Sequence, residues 1–330
     1  MLLSIKHKTG LKYSEITLES VMEMRVHPRI DERQVVRQFD VSVSPESRAA
    51  FHVDWLGNTV HQFSLLRSHD EVSILSRSLV ETRPVQIELD RLVAPLQGLV
   101  NDHRWRDFLG FDGPVLRDER LDAFSEAIGL HTANRVGDAI RLVMQNSASL
   151  IQYHKGVTTT TSTVCDVLDA KVGVCQDFAH LGLALLRARG VPCRYVSGYL
   201  HQENEPEVES HAWCEAYVPG IGWVGFDPTH ATLAGENYVS VAAGRNYSDV
   251  PPHRGVFRGS AHQTLSASVS IERIGQGART TPFAPLESAN KVPKPTLQIT
   301  TRRSGYHQEF QAVDPKAFAG RLTQQRQQQQ

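Results

Sequence analysis

The chain has 330 residues, 40% of them hydrophobic and 22% charged, a composition that points to a soluble globular protein with more than one core. Its 35 Lys and Arg are balanced by 36 Asp and Glu, so no global field draws it to nucleic acid or to an anionic membrane, and neither is expected as a partner. Met1 to Lys8 lack a sustained apolar stretch, no later run approaches the roughly 18 apolar residues of a membrane span, and the cysteines at 165, 175, 193 and 214 form neither a disulfide framework nor paired zinc knuckles. A cytoplasmic protein with free thiols is expected.

From the N-terminus to about residue 90, short apolar or alternating runs are broken by turn residues: Leu11 to Leu18, Val21 to Val26, Val35 to Val43, Ala50 to Trp55, Thr59 to Leu66 and Glu71 to Val80. This spacing predicts an antiparallel β-sandwich. Gly57-Asn58 is read as the source of positive φ for a hairpin turn. No catalytic grouping is visible in this region, and a role in substrate or partner recognition is its expected contribution.

A second domain is expected over 91–274, with a helical lead-in. Leu121 to Ile128 and Val136 to Leu150 carry apolar residues at helical intervals, and Phe178, Leu181 and Leu185 repeat the pattern up to the stop at Gly190-Val191-Pro192. Arg194 to Leu200, His211 to Val218 and Trp223 to Asp227 are strand-like. The fold class expected is therefore α+β, a sandwich followed by helices packed on an antiparallel sheet. From 275 onward Pro, Thr, Gln, Lys and Arg replace the periodic pattern, eight Lys or Arg face three Asp or Glu, and a disordered tail is expected over 275–330.

The chemistry lies in Gly173-Val174-Cys175-Gln176-Asp177, Ser210-His211-Ala212-Trp213 and Gly225-Phe226-Asp227-Pro228-Thr229. Cys175 stands where a loop becomes an apolar helix, and the free N–H groups and dipole of a helix start favour a thiolate and can also stabilise an oxyanion. The other three cysteines have apolar or strand-like surroundings and read as small buried hydrophobes. His211 begins one strand and Asp227 ends the next. An even loop between them would turn Asp227 to the face away from His211, whereas a loop of three or five residues pairs Tyr217 with Trp223 and sets the two side by side. An odd loop or a compensating bulge is predicted, on a hairpin face opposing the cysteine helix, with Asp227 orienting His211 and His211 serving Cys175. His180, one turn beyond Cys175, reads as structural or as a support behind the site residues. Trp213 and Trp223 are either walls of a substrate groove or core aromatics.

These stretches, together with Arg194 to Tyr199, Gly222 to Thr229 and Gly244 to Pro252, resemble the transglutaminase-like superfamily, in the bacterial branch where a β-rich N-terminal region precedes a papain-like core. The resemblance covers roughly residues 1 to 274. It implies a Cys175–His211–Asp227 triad, acyl chemistry on a peptide or protein amide, a thioester intermediate resolved by an amine or by water, and no cofactor. The Cys175 backbone N–H is one expected oxyanion donor, with Tyr153 and the Gln176 side chain as candidates for the second. His230 departs from the family's usual Asn, Asn246 from a frequent Asp, and Cys193 and Cys214 from small or apolar residues. No acidic loop with calcium-ligand spacing is present, and no metal is expected. The alternatives are a peptidase or amidase with the same triad, a binding module that keeps the fold without the chemistry, and a Cys/His zinc site. Oligomeric state is left open.

Overall fold

Residues 2 to 13 alternate between buried and outward positions, with Leu3, Ile5, His7, Thr9, Leu11 and Tyr13 all turned inward, the period-two signature of a half-buried strand. A computed structural model of the chain describes residues 1–84, 86–96, 103–203, 205, 207–275 and 283. The first six strands are β1 (Leu2–Thr17), β2 (Glu19–Met24), β3 (Gln34–Ser44), β4 (Ala50–Val53), β5 (Thr59–Leu65) and β6 (His69–Thr82). β1 therefore starts nine residues before the Leu11 read from the apolar pattern. The polar residues His7 and Thr9 break that pattern yet are buried: His7 Nδ1 meets the Tyr199 hydroxyl at 2.8 Å, so their polar groups are satisfied inside.

Next come α1 (Glu119–Ala127), α2 (Val136–Leu150), β7 (Gln152–Tyr153), α3 (Val164–Ala170), β8 (Val172–Gly173) and α4 (Cys175–Ala188). They are followed by β9 (Cys193–Leu200), β10 (Glu207–Val208), β11 (His211–Val218), β12 (Gly222–Asp227), β13 (Thr232–Leu233) and β14 (Tyr238–Gly244). The sheet β13-β12-β11-β9-β14 is antiparallel throughout. Phe178, Leu181 and Leu185 of α4 share one core with Ile140 and Val143 of α2 and with Ala212, Cys214, Ala216 and Phe226 of the sheet. Helix and sheet approach closely because Gly182 has no side chain: a Cβ there would stand 3.1 Å from Cys214 Sγ. The Cys214 thiol donates to the Ala179 carbonyl at 3.1 Å. The helix stops as predicted, with Gly190 at φ +76° and the Val191 N–H on the Leu186 carbonyl.

The chain then returns. β15 (His253–Arg258) pairs with β2, and β16 (Gln263–Arg273) pairs with β1 along its whole length. Two antiparallel sheets result, β10-β16-β1-β6-β3 and β15-β2-β5-β4, packed over Leu11, Met22, Met24, Phe63, Leu65, Val72 and Ile74. This is the expected sandwich over the expected core, an α+β protein. Residues 253–273, expected within the second domain, pair as strands with the N-terminal sheets. Strand pairing ties β16 to residues some 260 positions away, a relationship that leaves no local signal in the sequence.

Side-chain amides lock the sandwich to the core. Gln34 exchanges two hydrogen bonds with the Ser240 backbone, at 2.8 Å each, and Asn58 does the same with Ala243 at 2.9 and 2.8 Å. Only Gly57, at φ +78°, supplies the positive φ expected of Gly57-Asn58; Asn58 is fully buried and used for docking. Among the described residues no helix is long and apolar enough to cross a membrane. The tail expected to be disordered over 275–330 lies outside the described residues, apart from Gly275 and Phe283.

Candidate active site

The first turn of α4 is built by its own sequence. The buried Asp177 carboxylate accepts the Val174 N–H at 2.8 Å and the Thr158 hydroxyl at 2.6 Å, which fixes the strand-to-helix entry immediately before Cys175. Gly173 is needed there because a Cβ would lie 2.8 Å from Asp177 Cβ. Cys175 is thus the first helical residue, beside free N–H groups, and is the one partly exposed cysteine of the four, all of which are free thiols. Cys165, Cys193 and Cys214 are buried, and burial pushes each thiol up, Cys165 to about 11.

The β11–β12 hairpin has a three-residue loop, Pro219 to Ile221, and pairs Tyr217 with Trp223 and Cys214 with Phe226. That odd register puts His211 and Asp227 on one face, where His211 Nε2 meets Asp227 Oδ2 at 2.7 Å. The face differs from the one expected. Ala212, Cys214 and Phe226 face the body of α4, so His211 and Asp227 point away from it. At the helix N-terminus Cys175 shares two cavities with His211 and lies close enough to raise its imidazole. With Nε2 held by Asp227, Nδ1 is the nitrogen left for the thiol.

Burial opposes a charged His211 ring, but hydrogen bonds and charge from Asp227 and Cys175 outweigh it and push the imidazole up to about 9. Burial likewise raises the Asp227 carboxyl, and the hydrogen bonds from His211 and His230 more than reverse this, holding it well below the usual carboxylate range. Asp227 is fully buried and saturated: Oδ2 also meets His230 Nδ1 at 2.7 Å and accepts the Tyr238 hydroxyl at 2.9 Å, while Oδ1 accepts the Thr229 N–H at 2.8 Å. His230 was visible in the sequence only as a departure from Asn, three residues past Asp227. Tyr238 carried no signal at all, since its strand reaches the carboxylate through the sheet.

Two cavities meet at the thiol, and Cys175, His211, Tyr153, Lys155, Glu209 and Ser210 border both. One, of about 660 Å³, runs past His230 to Ala267, Ser268 and Val269 of β16; the other, of about 390 Å³, runs past Gln176, Tyr195 and Tyr247. The half-exposed Tyr153 stands at their junction, and burial, then the neighbouring Cys175, push its hydroxyl up. The Gln176 amide instead donates to the Thr160 carbonyl at 3.4 Å. Neither tryptophan lines these cavities. Trp213 is buried behind His211, its ring stacked 6.1 Å away, and Trp223 packs with Trp105, Phe108 and Tyr217 toward the other end of the hairpin. His180 is buried away from the thiol's cavities: its Nε2 accepts the Tyr247 N–H at 3.2 Å, and burial lowers the ring to about 3.

His211, Asp227 and His230 bring three potential ligand atoms within 4.8 Å of one another. An ion held through His211 Nε2 or His230 Nδ1 would have to break that nitrogen's contact with Asp227 Oδ2.

A thiol at a helix start, an imidazole and a buried carboxylate thus stand together at one border of an antiparallel sheet. The chain belongs to the transglutaminase-like superfamily: residues 123–228 match the model of that superfamily's core and residues 3–81 match the bacterial transglutaminase-like N-terminal region. It is 34% identical over 277 residues to the uncharacterized protein ML0607 of Mycobacterium leprae, covering 82% of this chain and 98% of that protein. A shorter stretch of 72 residues is 35% identical to the protein-glutamine gamma-glutamyltransferase of Pseudomonas aeruginosa, 19% of this chain and 11% of that one. The fold is shared with a Cytophaga hutchinsonii protein provisionally named a cysteine protease, with a TM-score of 0.70 at 22% identity over 86% of this chain and 93% of that one.

Proposed function

We propose that the protein is a cysteine acyltransferase or amidase acting on a peptide or protein amide, with Cys175 as nucleophile, His211 as general base and acid, and Asp227 orienting His211. The observation that carries this reading is the 2.7 Å contact of His211 Nε2 with a buried Asp227, which leaves Nδ1 toward a thiol at a helix N-terminus. An imidazolium beside such a thiol is the setting in which a reactive thiolate forms.

In the first half-reaction the Cys175 sulfur bonds to the amide carbonyl carbon, and the carbonyl oxygen takes the negative charge. The Cys175 backbone N–H faces that charge, and the position of Tyr153 beside the thiol supports its hydroxyl as the second donor, ahead of Gln176, whose amide is bound elsewhere. The C–N bond then breaks as His211 gives its proton to the leaving ammonia or amine. In the second half His211 takes a proton from an amine or a water that attacks the thioester, and the Cys175 thiolate leaves. No step needs a cofactor.

Transfer from a glutamine amide is supported by the local likeness to the Pseudomonas aeruginosa enzyme, and the two cavities give donor and acceptor separate approaches to one sulfur. The test is alkylation of Cys175 by iodoacetamide across pH, with His211→Ala alongside, followed by mass spectrometry of the acylated Cys175 peptide. Rapid alkylation that persists well below pH 8 in the wild type alone is expected. Identical profiles in the two proteins would remove the enzymatic reading.

A further inference from the structure

The larger cavity is bounded by Ala267, Ser268 and Val269, which belong to the N-terminal sandwich and not to the triad's own sheet. They lie on β16, whose register with β1 runs unbroken from Leu3↔Arg273 to Tyr13↔Gln263. The Ile274 N–H bonds to the Leu2 carbonyl at one end and the Ser14 N–H to the His262 carbonyl at the other. By alternation, every even residue of β16 turns its backbone groups to β1, and Gln263, Leu265 and Ala267 turn theirs outward.

Among the described residues only β10 stands beyond β16, pairing with Val269 and Ser270. Glu209 and Ser210 then leave the sheet to start β11, so among the described residues no strand pairs with the outer edge from Gln263 to Ser268. All six of those residues are exposed. The edge carries no charge, no proline and no bulge, the usual means by which proteins block strand addition. Its inner end opens into the cavity that holds Cys175 and His211. Phe283 does not cover it, since its N–H bonds to Gln38 on β3, at the opposite border of the sheet.

We infer that the outer edge of β16, from Gln263 to Ala267, is the docking lane of the acyl donor, which is an extended, unfolded polypeptide segment that adds to the sheet as a strand and carries its amide into the cavity at Cys175. The inference rests on the amide chemistry proposed above for its purpose but not for its binding mode. Three outward residues, repeating about every 6.8 Å, offer backbone donors and acceptors that read no side chain. Recognition of this kind tolerates sequence and rejects folded surfaces, so the sandwich supplies the substrate's backbone contacts and the core supplies the chemistry.

The test is residue-resolved hydrogen exchange on the full chain carrying Cys175→Ala, with and without carboxymethylated casein as an unfolded polypeptide. The Leu265 and Ala267 amides should slow at least tenfold, while Thr264 and Ser266, already bonded to β1, should not change. Leu265→Pro removes an outward N–H without touching the bonds to β1. It should abolish the protection of Ala267 and, in protein with Cys175 intact, slow acylation by casein at least tenfold. Unchanged exchange in the presence of excess casein would overturn the inference, and so would protection that rises with protein concentration in its absence, which would place a second copy on the edge. The exchange measurement decides even if the proline variant does not fold. Protection of these amides together with no acyl-enzyme in the wild type would keep the lane and remove the amide chemistry.

Discussion

His211 and His230 share a single oxygen: both rings meet Asp227 Oδ2 at 2.7 Å, their centroids 5.1 Å apart. The Tyr238 hydroxyl adds a third contact. Hydrogen bonds that converge on one oxygen divide its acceptor capacity. His230→Ala should therefore leave the carboxylate a stronger partner for His211, and the alkaline limb of Cys175 alkylation should move upward by about half a pH unit, under 1 kcal/mol. A limb that stays in place in the pH profile of the variant would show that His230 does not tune the pair.

Asp227→Asn tests the orienting acid. Burial disfavours a charged His211, and the Asp227 carboxylate is the largest influence raising it. Without that charge the ring should lose much of its upward displacement from 6.5 toward about 9, and acylation by an amide should fall by about a hundredfold or more, as orienting carboxylates do when replaced by their amides. Stopped-flow acylation with melting curves in parallel separates this from unfolding.

Stability should depend on pH in two opposite directions. Burial lowers His7 and His61 to about 4 and His180 to about 3, below the ordinary 6.5. Their folded forms bind fewer protons than the unfolded chain, so their contribution is complete above about pH 6.5 and is lost as pH falls toward 4; for His180 alone this is about 2 kcal/mol at pH 5. His211, raised to about 9, contributes fully below 6.5 and loses that contribution as pH rises through 9. Thermal melting from pH 4.5 to 9.5 should show a plateau near neutrality with losses on both sides, and His180→Gln should flatten the acid side.

Gly198→Ala should damage the site from behind. A Cβ at this position would stand 2.1 Å from the Val239 carbonyl and 2.6 Å from the Trp213 ring, which stacks beside His211. The backbone cannot give way cheaply, and a loss of about 1–3 kcal/mol is expected with a parallel loss of Cys175 reactivity. Chemical denaturation and iodoacetamide rates on the same preparation check both.

Asn58→Ala should loosen the sandwich from the core, because both backbone groups of Ala243 that Asn58 satisfies would be buried without partners. The expected cost is about 2–4 kcal/mol. A drop in the urea midpoint, with unchanged secondary structure at low urea, is the outcome that fits.

Much of the site could be read in the chain because its signals are local. The entry to α4 is built by Gly173, Val174 and Asp177 within one turn of Cys175, and the hairpin joining His211 to Asp227 has a loop short enough for its parity to set the register. Period-two and helical patterns likewise exposed the sandwich and the helices, since burial on one face leaves a local imprint. Where inward residues are polar, as at His7 and Thr9, the imprint is lost, and the first part of β1 has no apolar pattern to mark it.

Contacts between distant segments were decided by tertiary structure alone. Which face of the hairpin meets α4, the third hydrogen bond from Tyr238, the removal of Trp213 and Trp223 from the groove, and the return of β16 beside β1 all depend on strand order. Strand order follows from backbone pairing across hundreds of residues, and backbone groups are the same in every residue. The sequence by itself determined which residues are the candidates for chemistry, because their signals are local; the pairing of the sheets decided what surrounds them, because it joins backbone groups that carry no sequence signal.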